Sequence, residues 1–162
     1  MMLTDCTFTG NTATSGGGMY NDYFSDPTLI TCTFENNTAS SRGGGISCVH
    51  ASSPTLKECI CTGNTATDGG GISNDNSSPM LTDCTFTGNT CPFYTADATD
   101  DTPCVELDGC TIVKKTTDYG GGMVNDYYNT SSMKLTDCTF TGNNATRGSG
   151  VYNDYTIFSI LK

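Results

Sequence analysis

The chain repeats one phrase. LTDCTFTGNTATSGGGMYND opens at Leu3, and close copies begin at Leu29, Leu56, Leu81, Leu107 and Leu135. A cysteine closes the first phrase of each copy, at Cys6, Cys32, Cys59, Cys84, Cys110 and Cys138, so successive copies stand 26, 27, 25, 26 and 28 residues apart. A fixed period in this range marks a chain of stacked supersecondary units, and it constrains the fold more than any local propensity does. It also shapes the functional expectation, because such a stack offers long repeated surfaces rather than one enclosed pocket.

Helices are disfavoured within each copy. Glycine triplets fall at 16–18, 43–45, 69–71 and 120–122, and threonine is frequent elsewhere. Gly costs about 1 kcal/mol relative to Ala inside a helix, and Thr is stiff at χ1. The apolar residues alternate instead: Cys6 and Phe8 face one way, Thr7 and Thr9 the other, which is the period of a strand. Gly10-Asn11 reads as a turn, and the glycine triplet leads into a second strand around Met19 and Asn21. Leucine-rich repeats share the period but need several leucines and a helical limb per copy, which these copies lack. The expectation is an all-β parallel β-solenoid of about six coils of 25–28 residues, forming one domain over 1–162. Stacked strands would lie about 4.8 Å apart. Crossover chirality makes the coil right-handed.

Stacking explains why the same residue types recur. The core ladder is read as the six cysteines above together with an aromatic row of Phe8, Phe34, Phe86 and Phe140, in which Cys61 and Ile112 fill the remaining places. An asparagine row follows at Asn11, Asn37, Asn64, Asn89 and Asn143, with Lys115 standing in one copy. A second runs through Asn21, Asn74, Asn125 and Asn153, with Cys48 in one copy. Asn tolerates left-handed backbone, and its amide can bond its counterparts above and below, so both rows are assigned to structure.

Two motifs carry a family resemblance. F-x-x-N occurs at 8–11, 34–37, 86–89 and 140–143, and G-G-G-[I/M] at 43–46, 69–72 and 120–123. Together they resemble the repeats of the chlamydial polymorphic outer-membrane proteins and related pectin-lyase-like surface proteins, over the whole chain apart from 91–106. The resemblance implies a right-handed parallel β-helix, exposed at a surface, often adhesive and not usually enzymatic. In that family the helix is the passenger of a membrane barrel. Nothing here resembles the barrel, no stretch would span a bilayer as a helix, and no signal peptide precedes Leu3.

A net charge of −10 argues against nucleic acid or an anionic membrane as partner. Of the ten cysteines, Cys91 and Cys104 bracket CPFYTADATDDTPC, the segment that breaks the pattern. A loop at 91–104 pinched by a Cys91–Cys104 disulfide is expected, which points to an oxidising compartment. A core-spanning Cys48–Cys61 bridge is a second disulfide expectation. There is no C-x-x-C pair and His50 is the single histidine, so neither a metal site nor a cofactor is expected. Sequons stand at Asn36, Asn76, Asn129 and Asn144.

Three functional readings remain. Catalysis on polysaccharide needs a unique carboxylate pair or a calcium site with a strong base. The acids here recur with the repeat, at Asp5, Asp83 and Asp137 and again at Asp22, Asp75, Asp126 and Asp154, so no catalytic residue is assigned. An outward Thr-x-Thr face of Thr7, Thr9, Thr33, Thr62, Thr85, Thr87, Thr111, Thr139 and Thr141 resembles the ice-binding face of insect antifreeze solenoids, interrupted by Ile60, Glu35 and Val113. The preferred reading is a non-enzymatic extracellular or cell-surface solenoid, structural or adhesive, whose partner is a surface receptor, a glycan or itself. Leu3 already sits at a repeat position and the tail at 156–161 is apolar and β-prone, so no polar caps are expected and copies would join head to tail as a filament.

Overall fold

Each described rung bends sharply between strands that are only three to five residues long. The computed structural model describes residues 1–91, 121–126, 133–145, 147–153 and 159–161. Equivalent strands of successive copies pair in parallel and in register. The first sheet runs Met2–Thr4, Thr28–Ile30, Thr55–Lys57, Met80–Thr82, Met133–Thr136 and Ser159–Leu161. The second runs Thr7–Thr9, Thr33–Glu35, Ile60–Thr62, Thr85–Thr87 and Thr139–Thr141. The third runs Met19–Asn21, Ile46–Cys48, Ile72–Asp75, Met123–Asp126 and Val151–Asn153. A short fourth pairing of Thr12–Ser15 with Thr38–Arg42 continues as single bridges through Thr65, Thr90 and Asn144. The all-β parallel solenoid read from the repeat is therefore the fold.

The core is a set of columns running along the stack. Leu29, Leu56 and Leu81 from the first sheet meet Phe34, Cys61 and Phe86 from the second and Ile46, Ile72 and Met123 from the third, all within 1% of full burial. Cys32, Cys59 and Cys84 fill the corner between the first two sheets, and each thiol sits within hydrogen-bonding reach of a carbonyl in the preceding rung, at Leu3, Leu29 and Leu56. The phenyl rings stack face to face, Phe8 on Phe34 at 4.8 Å and Phe86 on Phe140 at 4.7 Å, which is the strand spacing itself.

The first asparagine row is a continuous hydrogen-bonded ladder. Asn37 donates from both its backbone N and Nδ2 to Asn64 Oδ1, at 3.0 and 3.1 Å, and its Nδ2 also donates to Phe8 O at 2.8 Å. Asn64 does the same to Asn89 and Phe34, and Asn89 to Asn143 and Cys61. Every amide points the same way along the stack. In the second row, Asn74 pairs in register with Cys48 and Asn125, Asn125 pairs with Asn153, and Asn21 donates to Cys48 Sγ at 3.6 Å.

The glycine triplets have two separate causes. The first glycine is left-handed, as at Gly43 with φ 63°, and turns the chain into the third sheet. The second lies against backbone of the next rung: a Cβ on Gly44 would meet Gly70 O and Thr65 N.

Two expectations need correction. The described stack has five complete rungs, not six. Phe86 pairs directly with Phe140 and Leu81 with Leu135, so Ile112 and Lys115 do not lie between them. Gly71 donates to Gly121 O and Ile72 pairs with Met123. Rung four therefore takes its first half from the copy at Leu81 and its second half from the segment that begins at Gly121. In rung four the described residues end at Cys91 and resume at Gly121, so the expected loop at 91–104 lies outside them but for Cys91. Residues 92–120, with Cys104, Cys110, Thr111 and the Cys91–Cys104 pairing, lie outside the described residues. The second correction is that Cys48 and Cys61 are reduced thiols. Each occupies its own column, Cys48 between Asn21 and Asn74 in the third sheet and Cys61 between Phe34 and Phe86 in the second. The tail does contribute a strand, Ser159–Leu161, which starts a sixth rung on the first sheet.

Candidate binding surface

The outer face of the second sheet is a two-column grid. One column is Thr7, Thr33, Ile60, Thr85 and Thr139, and its neighbour is Thr9, Glu35, Thr62, Thr87 and Thr141, each paired in register with the next. Because residue types alternate inward and outward along each three-residue strand, burying Phe8 and its equivalents places both flanking threonines on the outside. Thr7, Thr9, Thr87, Thr139 and Thr141 are exposed, and Thr33, Thr62 and Thr85 are half-buried.

The recurring acids are explained by the backbone. Asp5, Thr31, Glu58, Asp83 and Asp137 occupy one corner with φ between 50° and 53°, all exposed. Asp5, Thr31, Glu58 and Asp83 each donate their N–H to a carbonyl of the next rung, at Ile30, Lys57, Thr82 and Thr136. Asp tolerates this left-handed geometry better than most residues, so the row serves the corner. In the other acidic row, Asp75 pairs with Arg42, and Asp22 with His50. Asp126 continues that row at the end of Met123–Asp126, and Asp154 lies outside the described residues.

A feature that the repeat did not single out stands at the corner after the third sheet. Tyr23 and Phe24 follow Asn21-Asp22 with φ of 47° and 57°, and they are 72% and 76% exposed. His50 and Ala51 take the same conformation one rung on, with φ of 49° and 60°, and Asn76 takes it one rung further with φ 49°. The Tyr23 ring stacks on the His50 imidazole at 4.8 Å, 12° from parallel. His50 Nδ1 lies 2.6 Å from Asp22 Oδ1, which also accepts the Tyr23 N–H at 2.8 Å. Phe24 N–H donates to His50 O at 3.2 Å, and Asp26 Oδ1 accepts the Ser53 N–H at 2.6 Å. The signal in the sequence is the tripeptide Asn-Asp-Tyr at 21–23, which is written again at 125–127 and 153–155.

Two of the core thiols, Cys48 and Cys61, are chemically quiet. Burial pushes the Cys48 thiol up to about 12, against a smaller opposite pull from the Asn21 amide, and holds Cys61 well above the ordinary thiol range. Both stay protonated at neutral pH, and a protonated buried thiol is a poor partner for disulfide exchange. Toward the far end of the column, hydrogen bonding from Cys84 draws the half-buried Cys138 thiol down to about 6 and raises Cys84 itself. The sequons at Asn36 and Asn76 are on exposed left-handed corners, Asn144 is half-buried on a bridge, and Asn129 lies outside the described residues. Among the described residues, no group of three or more His, Cys, Asp or Glu side chains could hold a metal ion, and no helix is long and apolar enough to cross a membrane.

A family model described as a right-handed β-helix region matches residues 1–159. No curated protein and no solved structure matches the chain.

Proposed function

The chain belongs to the right-handed β-helix family, and from that premise we propose that it is a non-enzymatic, extracellular or cell-surface solenoid with a structural or adhesive role. The observation that carries this reading is the corner geometry of its acids. Four carboxylates in one row share a left-handed φ of 50° to 53°, and threonine replaces them at the same φ. A position that threonine fills in one rung is a scaffold position, not half of a catalytic pair. The kinship to the chlamydial surface-protein repeats belongs to the same proposal. So does head-to-tail self-association, which the uniform sense of the asparagine ladder supports: Asn11 Oδ1 accepts no hydrogen bond among the described residues and is positioned to accept from a further rung. Incubation with a panel of polysaccharides should release no reducing ends and no unsaturated product. Turnover on any of them overturns the reading. Sedimentation over a concentration range tests self-association, which a monomer persisting at the highest concentration refutes.

One observation favours a second reading. The threonine columns of the second sheet are in register over all five of its strands, the arrangement that orders water on an ice-binding face. Glu35 and Ile60 interrupt it. Thermal hysteresis in the purified protein would support ice binding, and its absence removes that alternative.

A further inference from the structure

The corner at Tyr23 and Phe24 costs the fold something and returns no burial. Left-handed backbone disfavours bulky side chains, and the same corner takes Asn76 in rung three, a residue type that adopts it readily. Rung one instead holds two aromatic residues there, side by side, with about three-quarters of each in solvent. Exposed aromatic surface and backbone strain at one point, offset only by the stacking of Tyr23 on His50, is the pattern of a ligand platform. The platform is also held still. His50 supports one face of the Tyr23 ring, Asp22 fixes both His50 and the Tyr23 N–H, and the Phe24 N–H is tied to the next rung.

We propose that Tyr23 and Phe24 form a binding platform for a neutral pyranose glycan, with the carboxylates of Asp22 and Asp26 accepting hydrogen bonds from its hydroxyls. This rests on the adhesive reading above and names the ligand class for it. A flat sugar face presents C–H groups that pack against aromatic rings, while its rim presents hydroxyl donors that match carboxylate acceptors. The patch is two side chains wide, far less than the roughly 800 Å² per partner that a stable protein interface buries. A net charge of −10, with Asp22 and Asp26 beside the rings, repels polyuronates, sulfated glycans and anionic headgroups alike. Neutral sugar remains.

Affinity electrophoresis of the full chain in native gels containing neutral β-linked polysaccharides (a β-1,4-glucan, xylan and galactomannan) or polygalacturonate tests the proposal. Retardation by a neutral polymer is expected, with at least tenfold weaker binding in Tyr23→Asn/Phe24→Asn. Asn suits left-handed backbone, so this variant should melt no lower than the parent, which separates lost binding from lost folding. Migration unretarded in every neutral gel, retardation by polygalacturonate alone, or equal retardation of parent and variant overturns the assignment. Each of those failures leaves the non-enzymatic reading standing, because only product release refutes that.

Discussion

Replacing Asn64 by alanine tests whether the asparagine ladder holds the rungs together or merely fills space. Asn64 is fully buried, and its side chain makes four hydrogen bonds. Oδ1 accepts from Asn37 N and Asn37 Nδ2, and Nδ2 donates to Phe34 O at 2.8 Å and Asn89 Oδ1 at 3.0 Å. In Asn64→Ala the two acceptors keep other partners or tolerate the loss. Asn89 Oδ1 retains the Asn64 backbone N–H, and Phe34 O is a carbonyl with a second lone pair. The donors do not. Asn37 loses the partner of its backbone N–H and of one Nδ2 proton, both inside the core, and each orphaned buried donor costs about 1–3 kcal/mol. The sum is about 3–5 kcal/mol once a small cavity is added. Asn11→Ala supplies the control: Asn11 is exposed, its backbone N–H still donates to Asn37 Oδ1, and only the Nδ2 donation is lost, so the cost should stay within about 1 kcal/mol. Urea unfolding followed by far-ultraviolet circular dichroism measures both. Asn64→Asp adds a pH test. Its carboxylate would face Phe34 O and Asn89 Oδ1, acceptors it cannot donate to, so burial and that repulsion raise its folded pKa above the unfolded value. The variant should be most stable below the unfolded value and lose stability as pH rises through the folded one. A cost for Asn64→Ala within about 1 kcal/mol of that for Asn11→Ala would show that the ladder is not a structural tie.

Phe86→Ala should cost about 3–5 kcal/mol, because the ring is fully buried and stacked on Phe140, while Thr87→Ala on the outside should change stability by about 0.5 kcal/mol or less; equal midpoints in urea would refute the register. Gly44→Ala should cost more than about 3 kcal/mol, since its Cβ would press on backbone at Thr65 N, 2.6 Å away, whereas Gly10→Ala, left-handed but in open space, should cost about 1–2 kcal/mol; calorimetric melting distinguishes the two. Cys48 should make the parent alkali-sensitive: its folded pKa of about 12 exceeds the ordinary 9.0, so its contribution is present below 9 and lost as pH rises toward 12. The slope is about 1.4 kcal/mol per pH unit across that window, and Cys48→Ala should remove it; identical pH dependence in parent and variant refutes the burial argument.

The columns were legible because each core position repeats with one chemistry. Cys6, Phe8 and Asn11 recur at a fixed offset, so inward register, sheet partners and ladder followed from spacing alone. What misled was counting copies by their leucine and cysteine. The copy at Leu81 has Phe86 and Asn89 but no glycine triplet, and the copy at Leu107 has the triplet but Ile112 and Lys115 in place of Phe and Asn. Those defects are complementary, and together the two copies supply one rung. The Cys48–Cys61 bridge failed for a related reason: two substitutions close in sequence fall in different columns, one in the third sheet and one in the second. The platform at Tyr23 and Phe24 was missed because the Asn-Asp-Tyr tripeptide recurs in only some copies, while rungs two and three carry His50 and Asn76 at that corner. His50 and Asn76 share Tyr23's backbone conformation but neither its aromatic phenol nor its size.

The length of the connection in rung four carries a consequence for how freely this chain can be rewritten. From Asn64 to Ile72 the chain advances 8 residues, and from Asn89 to the equivalent Met123 it advances 34. Loop-closure entropy grows only as the logarithm of length, so the longer connection costs about 1.3 kcal/mol more than the shorter one. The strands on either side resume their pairing with no shift of register, Ile72 with Met123 and Phe86 with Phe140. The columns thus keep their register across connections of 8 and of 34 residues, which differ in closure cost by about the free energy of one hydrogen bond. The length of the connection at that point is therefore almost decoupled from the register of the columns, which packing holds fixed.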